Sequence, residues 1–102
     1  TTLREVPSAG VNDWSSAAWS AETGLGTGPR MPALPVLDRI GPGDGFAAGL
    51  IHGLLTVAGL DRALAYGTAH GALTMTTPGD VSMASLAEVE ALMTGGSAAV
   101  RR

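Results

Sequence analysis

The chain has 102 residues, enough for one small domain or part of a larger one. Its 45% hydrophobic and 15% charged residues exclude a disordered chain, and a net charge of −3 without lysine excludes the basic footprint of a nucleic-acid binder. The lack of cysteine excludes disulfides and thiolate metal sites. With Trp14, Trp19, Phe46 and Tyr66 as the whole aromatic complement, the core must be built from Ala, Leu, Val and Met. Residues 1–6 alternate partially and carry β-branched side chains, which predicts a first strand. Residues 7–13 hold Pro, Ser, Gly, Asn and Asp, the chemistry of a turn. Residues 14–21 read as a second strand, 23–29 as a loop, and 31–37 as a third extended piece. Pro32 and Pro35 cannot donate to a ladder, so that piece belongs at a sheet edge or is irregular.

From Asp44 the period becomes helical. Phe46, Leu50, Leu54 and Val57 recur at spacings of four, four and three, and we read that face as core. Gly45, Gly49 and Gly53 also recur every fourth residue, which suggests a helix packed closely on a sheet. The apolar run 46–60 falls short of the roughly 20 residues of a membrane span, so no membrane partner is expected. Gly59 ends this helix and Asp61 is placed to cap the next, residues 62–73. Residues 74–77 look extended, followed by a Pro78-Gly79-Asp80 turn. Ser85 and Glu88 form a capping-box pattern that opens a helix with Leu86, Val89, Leu92 and Met93 on one side, stopped by Gly95-Gly96. The expected class is α/β, with strands first and three helices after them, over one unit spanning residues 1–102. A polar start without Met gives no signal peptide and suggests processing or a fragment, with the cytoplasm as the default location.

The most informative stretch is Asp38-Arg39-Ile40-Gly41-Pro42-Gly43-Asp44-Gly45-Phe46. A Gly-x-Gly-Asp turn at a helix start leaves backbone N–H groups aimed outward, where the helix dipole favours an anion. Asp44 puts a carboxylate beside that anion site. An anion pocket with an adjacent base is what phosphoryl transfer to a hydroxyl needs, since that chemistry relies on positioning and charge stabilisation. Taken alone, Asp44 reads more readily as an ordinary N-terminal helix carboxylate interacting with the dipole; the motif around it favours the base.

Asp38, Gly41, Gly43, Asp44 and Phe46 match the Asp-Thr-x-Gly-Ala-Gly-Asp-x-Phe signature, so the chain resembles the carboxy-terminal third of ribokinase-like (PfkB) sugar kinases. Within them it is most similar to 2-keto-3-deoxygluconate kinases, which carry Asp-Arg-x-Gly-Gly-Gly-Asp-x-Phe. The flanks agree: Thr2-Leu3-Arg4-Glu5, then Ser8, Asn12, Asp13 and Trp14, then Thr76-Thr77-Pro78-Gly79-Asp80 and Glu88-Val89-Glu90-Ala91-Leu92. The resemblance implies the carboxy-terminal portion of an α/β/α sandwich that moves the ATP γ-phosphate to a sugar-acid hydroxyl. It implies Asp44 as the base, with Gly41, Pro42 and Gly43 forming the anion hole. It also implies Asp38 near a monovalent cation, nucleotide contacts from Thr2, Leu3, Arg4, His70 and Gly79, and Mg²⁺ arriving with ATP. Two positions depart from the pattern. Pro42 removes an N–H where relatives carry Ala or Gly, and losing such a donor costs about 3 kcal/mol if it faces the phosphate. Proline is nonetheless welcome in a first helical turn. Gly45 stands for the usual Ala or Ser, at about 1 kcal/mol of helix propensity.

Other features have plainer readings. Gly24-Leu25-Gly26-Thr27-Gly28 lacks the spacing of a dinucleotide loop and is read as a hairpin loop. His52 is read as a partly buried, satisfied histidine, and Trp14 and Trp19 as packing residues. No His, Asp and Glu set has metal-ligand spacing. Three functions remain open. The first is a 2-keto-3-deoxygluconate-type kinase. The second is a non-catalytic remnant or oligomerising piece, inactive alone and prone to form homo-oligomers through exposed apolar helix faces. The third is a relative acting on another sugar or a nucleoside.

Overall fold

The computed structural model describes residues 1–8, 10–37, 40–56, 59–77 and 84–94. Asp38, Val57, Gly79 with its flanking Pro78 and Asp80, and Gly95-Gly96 lie outside the described residues. Among the described residues four strands precede three helices: β1 (Thr2–Ser8), β2 (Val11–Ser20), β3 (Gly24–Thr27), β4 (Met31–Pro35), α1 (Gly41–Thr56), α2 (Leu60–Met75) and α3 (Leu86–Met93).

The long strand β2 organises an antiparallel sheet. It pairs with β1 from Thr2↔Ser16 to Ser8↔Val11, with β4 from Val11↔Pro35 to Trp14↔Met31, and with β3 from Ala17↔Thr27 to Ser20↔Gly24. Residues 7–13, expected as a turn, therefore lie mostly in strand. Pro7 falls where the register shifts between Glu5 and Ser8, so the irregularity absorbs the missing donor. The glycine-rich stretch at 24–28 is likewise mostly strand rather than loop. Gly24, at φ +77°, supplies the left-handed conformation that starts β3.

The proline-broken third piece is β4, which among the described residues pairs with β2 alone. Its register shifts between Asn12 and Trp14, and opposite that shift Ala33 adopts φ +58°. Asp13 holds this bulge: one carboxylate oxygen accepts the Ala33 amide at 2.8 Å and the other accepts from Arg30 at 2.9 Å.

Alternation decides what the sheet buries. Asn12, Trp14 and Ser16 are buried on one face of β2 and meet α2. The Trp14 indole N–H donates to the Thr68 carbonyl at 3.0 Å, and the Ser16 and Thr68 hydroxyls share a 2.6 Å bond. Trp19 breaks the expectation of two packing tryptophans. It is 71% exposed because, five residues on from Trp14, it points to the opposite face of β2, where its ladder partner Leu25 is equally open.

α2 is the centre of the molecule, with the sheet on one side, α1 on another and α3 on a third. Fully buried Ala63, Leu64, Ala69, Ala72, Leu73 and Met75 belong to it. Its N-cap is Gly59, without a side-chain capping bond, and Asp61 sits inside the first turn rather than at the cap. The helix also continues past the expected end, so residues 74 and 75 are helical rather than extended. Threonines read as strand by propensity, but here Thr74 donates to the His70 carbonyl, Thr76 to that of Ala72 and Thr77 to that of Leu73. Such back-bonding, with burial, overrides the β preference.

The glycine stripe of α1 packs on α2, not on a sheet. A Cβ on Gly49 would stand 2.5 Å from the Tyr66 carbonyl oxygen, and one on Gly53 2.5 Å from the Ala63 Cα. The buried side of α1 is Gly41, Pro42, Gly45, Phe46, Gly49 and Gly53. Of the expected apolar face, Phe46 is buried and Leu50 packs against the core, whereas Leu54 is 56% exposed. α3 opens with the expected capping box: the Ser85 hydroxyl accepts the Glu88 amide at 3.2 Å while the Glu88 carboxylate accepts the Ser85 amide at 3.2 Å. Among the described residues, no helix is long and apolar enough to cross a membrane.

Candidate active site

α1 begins at Gly41, three residues before Asp44, so the whole Gly41-Pro42-Gly43-Asp44 run forms its first turn. The turn is divided. Gly41 and Pro42 are buried, whereas Gly43 and Asp44 are exposed. An added Cβ on Gly43 would meet nothing within 4 Å, so open space adjoins the turn there. First-turn amides lack partners within their own helix, and the dipole makes this end attractive to an anion. Asp44 thus carries a solvent-accessible carboxylate at a helix mouth.

The junction leading into this turn is anchored on α2. The Leu37 amide donates to the Met75 carbonyl at 2.8 Å, which brings the end of β4 to the C-terminal end of α2. Because α1 and α2 run antiparallel, that end of α2 lies beside the first turn of α1. A Cβ on Gly45 would stand 2.6 Å from the Thr74 hydroxyl and 3.3 Å from the His70 carbonyl.

The residues expected around a nucleotide are divided between two cavities. Leu3 and Arg4 line one of about 250 Å³ together with Asp13, Trp14 and Arg30. Thr2 is half-buried at the start of the same strand. His70 lines another cavity, of about 160 Å³, between α1, α2 and α3, together with His52, Tyr66 and Ser85. Trp14 connects Arg4 to the helix mouth. The Arg4 guanidinium lies 5.7 Å from the centroid of the Trp14 indole, whose far edge abuts Gly71 beside the Pro42 carbonyl. Sequence reading treated Trp14 as packing and gave Gly71 no role. Trp14 and Gly71 lie far apart along the chain, so no local pattern points to their contact.

Tyr66 is the electrostatic feature of the second cavity. Its hydroxyl donates to the Glu90 carboxylate at 2.6 Å. That bond holds the phenol proton and, with burial and the adjacent negative charge, raises the Tyr66 pKa above its ordinary value, partly opposed by Arg62. The His52 ring packs edge-on against Tyr66 with centroids 4.9 Å apart. Among the described residues no group of three or more His, Asp or Glu could hold a metal ion.

Comparison with known proteins places this geometry in context. The pattern of the pfkB family carbohydrate kinases matches residues 15–86. A 2-dehydro-3-deoxygalactonokinase of Haloferax volcanii is 38% identical over 66 residues, which are 65% of this chain and 21% of that protein. The crystal structure of a 2-dehydro-3-deoxygluconokinase from Thermotoga maritima superposes with a TM-score of 0.83 at 35% identity, over 92% of this chain and 28% of that one. A PfkB family carbohydrate kinase from Listeria grayi gives a TM-score of 0.83 at 24% identity, over 91% of this chain and 29% of that one, and supports the fold alone. The chain thus spans less than a third of the length of the relatives it matches. With a family match over most of its length and the strand–turn–helix geometry that carries the glycine-aspartate motif, the chain belongs to the pfkB family of carbohydrate kinases.

Proposed function

We propose that the chain is the carboxy-terminal portion of an ATP-dependent kinase for a 2-keto-3-deoxy sugar acid, and that it carries the catalytic base and the anion hole. The observation that carries this proposal is the exposed Asp44 carboxylate on the first turn of α1, next to a Gly43 that opens onto free space. The acceptor class is supported by the names of the Haloferax and Thermotoga relatives.

The residues present suit a phosphate. The first-turn amides and the helix dipole stabilise negative charge on the group in transfer. Asp44 takes the proton of the acceptor hydroxyl as its oxygen bonds to the γ-phosphorus and the bond to the β-phosphate oxygen breaks, leaving ADP. Pro42, the departure from the usual pattern, is buried, with its carbonyl oxygen facing Gly71 of α2. Arg4 and His70 are the nucleotide-contact candidates, from the two cavities. Mg²⁺ bound with ATP would supply neutralisation of the phosphate charge. Asp38 remains the candidate beside a monovalent cation.

The test is Asp44→Asn in the complete protein carrying this chain. Loss of a positioned base lowers turnover by roughly a hundredfold or more. Turnover within about tenfold of wild type removes Asp44 from that role.

A second proposal concerns the chain by itself. Ile51, Leu54 and Leu55 on α1 are exposed, at 56%, 56% and 80%. An apolar strip of this kind favours self-association of an isolated piece that is catalytically silent. A monomeric chain with sugar-dependent ATP turnover overturns this second proposal.

A further inference from the structure

We propose that Gly71 is a positioning residue for the phosphoryl-transfer turn, acting through the edge of Trp14. A Cβ on Gly71 would stand 2.7 Å from Trp14 Cζ2, 3.2 Å from Trp14 Cε2 and 3.1 Å from the Pro42 carbonyl oxygen. Two of these atoms belong to the six-membered ring of an indole that is 1% exposed and held by its N–H to the Thr68 carbonyl at 3.0 Å. The third belongs to the backbone of the Gly41–Asp44 turn. Neither is the loose end of a flexible side chain, so an added methyl has to push the turn or the ring.

Gly71 therefore sets how deeply the first turn of α1 seats on α2, and Trp14 fixes that seat from the sheet. Pro42 completes the device. Its side chain is fully buried, its carbonyl oxygen faces α2, and its constrained φ gives the turn little freedom to re-form elsewhere. Two residues further along, Asp44 inherits its position from this seat. A displacement of about 1 Å at a reacting group costs on the order of a hundredfold in rate. The role of Gly71 rests on the kinase proposal above and goes beyond it by naming what holds the base in place.

The experiment uses the complete protein with four variants: Gly71→Ala, Trp14→Phe, the two combined, and Leu92→Ala. Leu92→Ala truncates the core on α3 outside the Trp14–Gly71–Pro42 contact. Gly71→Ala lowers kcat about tenfold to a hundredfold, with KM for ATP and acceptor within about twofold of wild type. Phenylalanine removes the indole edge that the methyl strikes, so the double variant regains most of that kcat. Leu92→Ala loses stability but keeps kcat below its melting transition. Wild-type kcat in Gly71→Ala, no recovery in the double variant, or an equal kcat loss in Leu92→Ala each overturns the proposal. If Gly71→Ala does not accumulate, the double variant decides: kcat near wild type supports the seat, and kcat reduced about tenfold or more below Trp14→Phe overturns it.

A readout independent of turnover separates this proposal from the kinase proposal. Amide hydrogen exchange at residues 45–48, whose N–H groups donate to first-turn carbonyls, speeds up in Gly71→Ala and returns in the double variant. Unchanged exchange overturns the seat even if the protein is a kinase. A wild-type protein without sugar-dependent turnover sinks the kinase proposal while the exchange result still stands.

Discussion

Gly45 of α1 lies so close to Thr74 of α2 that a Cβ on the glycine would stand 2.6 Å from the threonine hydroxyl, which is itself committed to the His70 carbonyl at 2.9 Å. The missing side chain leaves the space that Thr74 occupies, so the two residues form a matched pair. Gly45→Ala gains about 1 kcal/mol of helix propensity but incurs overpacking of about 1–3 kcal/mol. We expect net destabilisation of about 1 kcal/mol, largely abolished when Thr74→Ala is added. Urea denaturation of the two single variants and the double variant measures the coupling; strict additivity rules out the pairing.

Gly49 poses a harder constraint, because its would-be Cβ faces the Tyr66 carbonyl oxygen at 2.5 Å and the Gly67 Cα at 2.9 Å. Both are backbone atoms and cannot rotate away. Gly49→Ala has to separate α1 from α2, at a cost of about 3 kcal/mol. A melting temperature unchanged from wild type contradicts this helix contact.

The Tyr66–Glu90 bond predicts a pH effect with a defined sign. Tyr66 has a folded-state pKa above its unfolded value of about 10. Its contribution is therefore fully present below pH about 10 and is lost as pH rises through the raised value. Between pH about 9 and 11 wild type should lose more stability than Tyr66→Phe, as followed by thermal melting. Parallel pH profiles argue against the bond.

Ser85→Ala removes the oxygen that accepts the Glu88 amide and opens the capping box. A loss of about 1 kcal/mol is expected, concentrated at α3. Amide exchange that quickens in residues 86–93 before it does in α2 identifies the effect as local.

Several elements were legible without coordinates because their signals are local. The Ser85–Glu88 box names its own partners, and the Gly41–Asp44 turn declares a helix start whatever surrounds it. Other elements misled for equally physical reasons. Thr74, Thr76 and Thr77 carry strand propensity, and only their position at the end of a buried helix, with carbonyls in reach, overrides it. Trp14 and Trp19 look alike along the chain, yet α2 covers one and not the other.

What the residues alone determined was the order of strands and helices, the kinase-family motif and the chemistry a carboxylate at a helix start permits. The tertiary structure decided what lies opposite each face. It set the α1 glycines against α2 rather than a sheet, turned Leu54 and Leu55 outward, placed Arg4 and His70 in different cavities, and brought Gly71 beneath Pro42. Periodicity shows which side chains share a side of an element, whereas the partner on that side is fixed only by how closely two backbones approach, and glycine leaves that to packing.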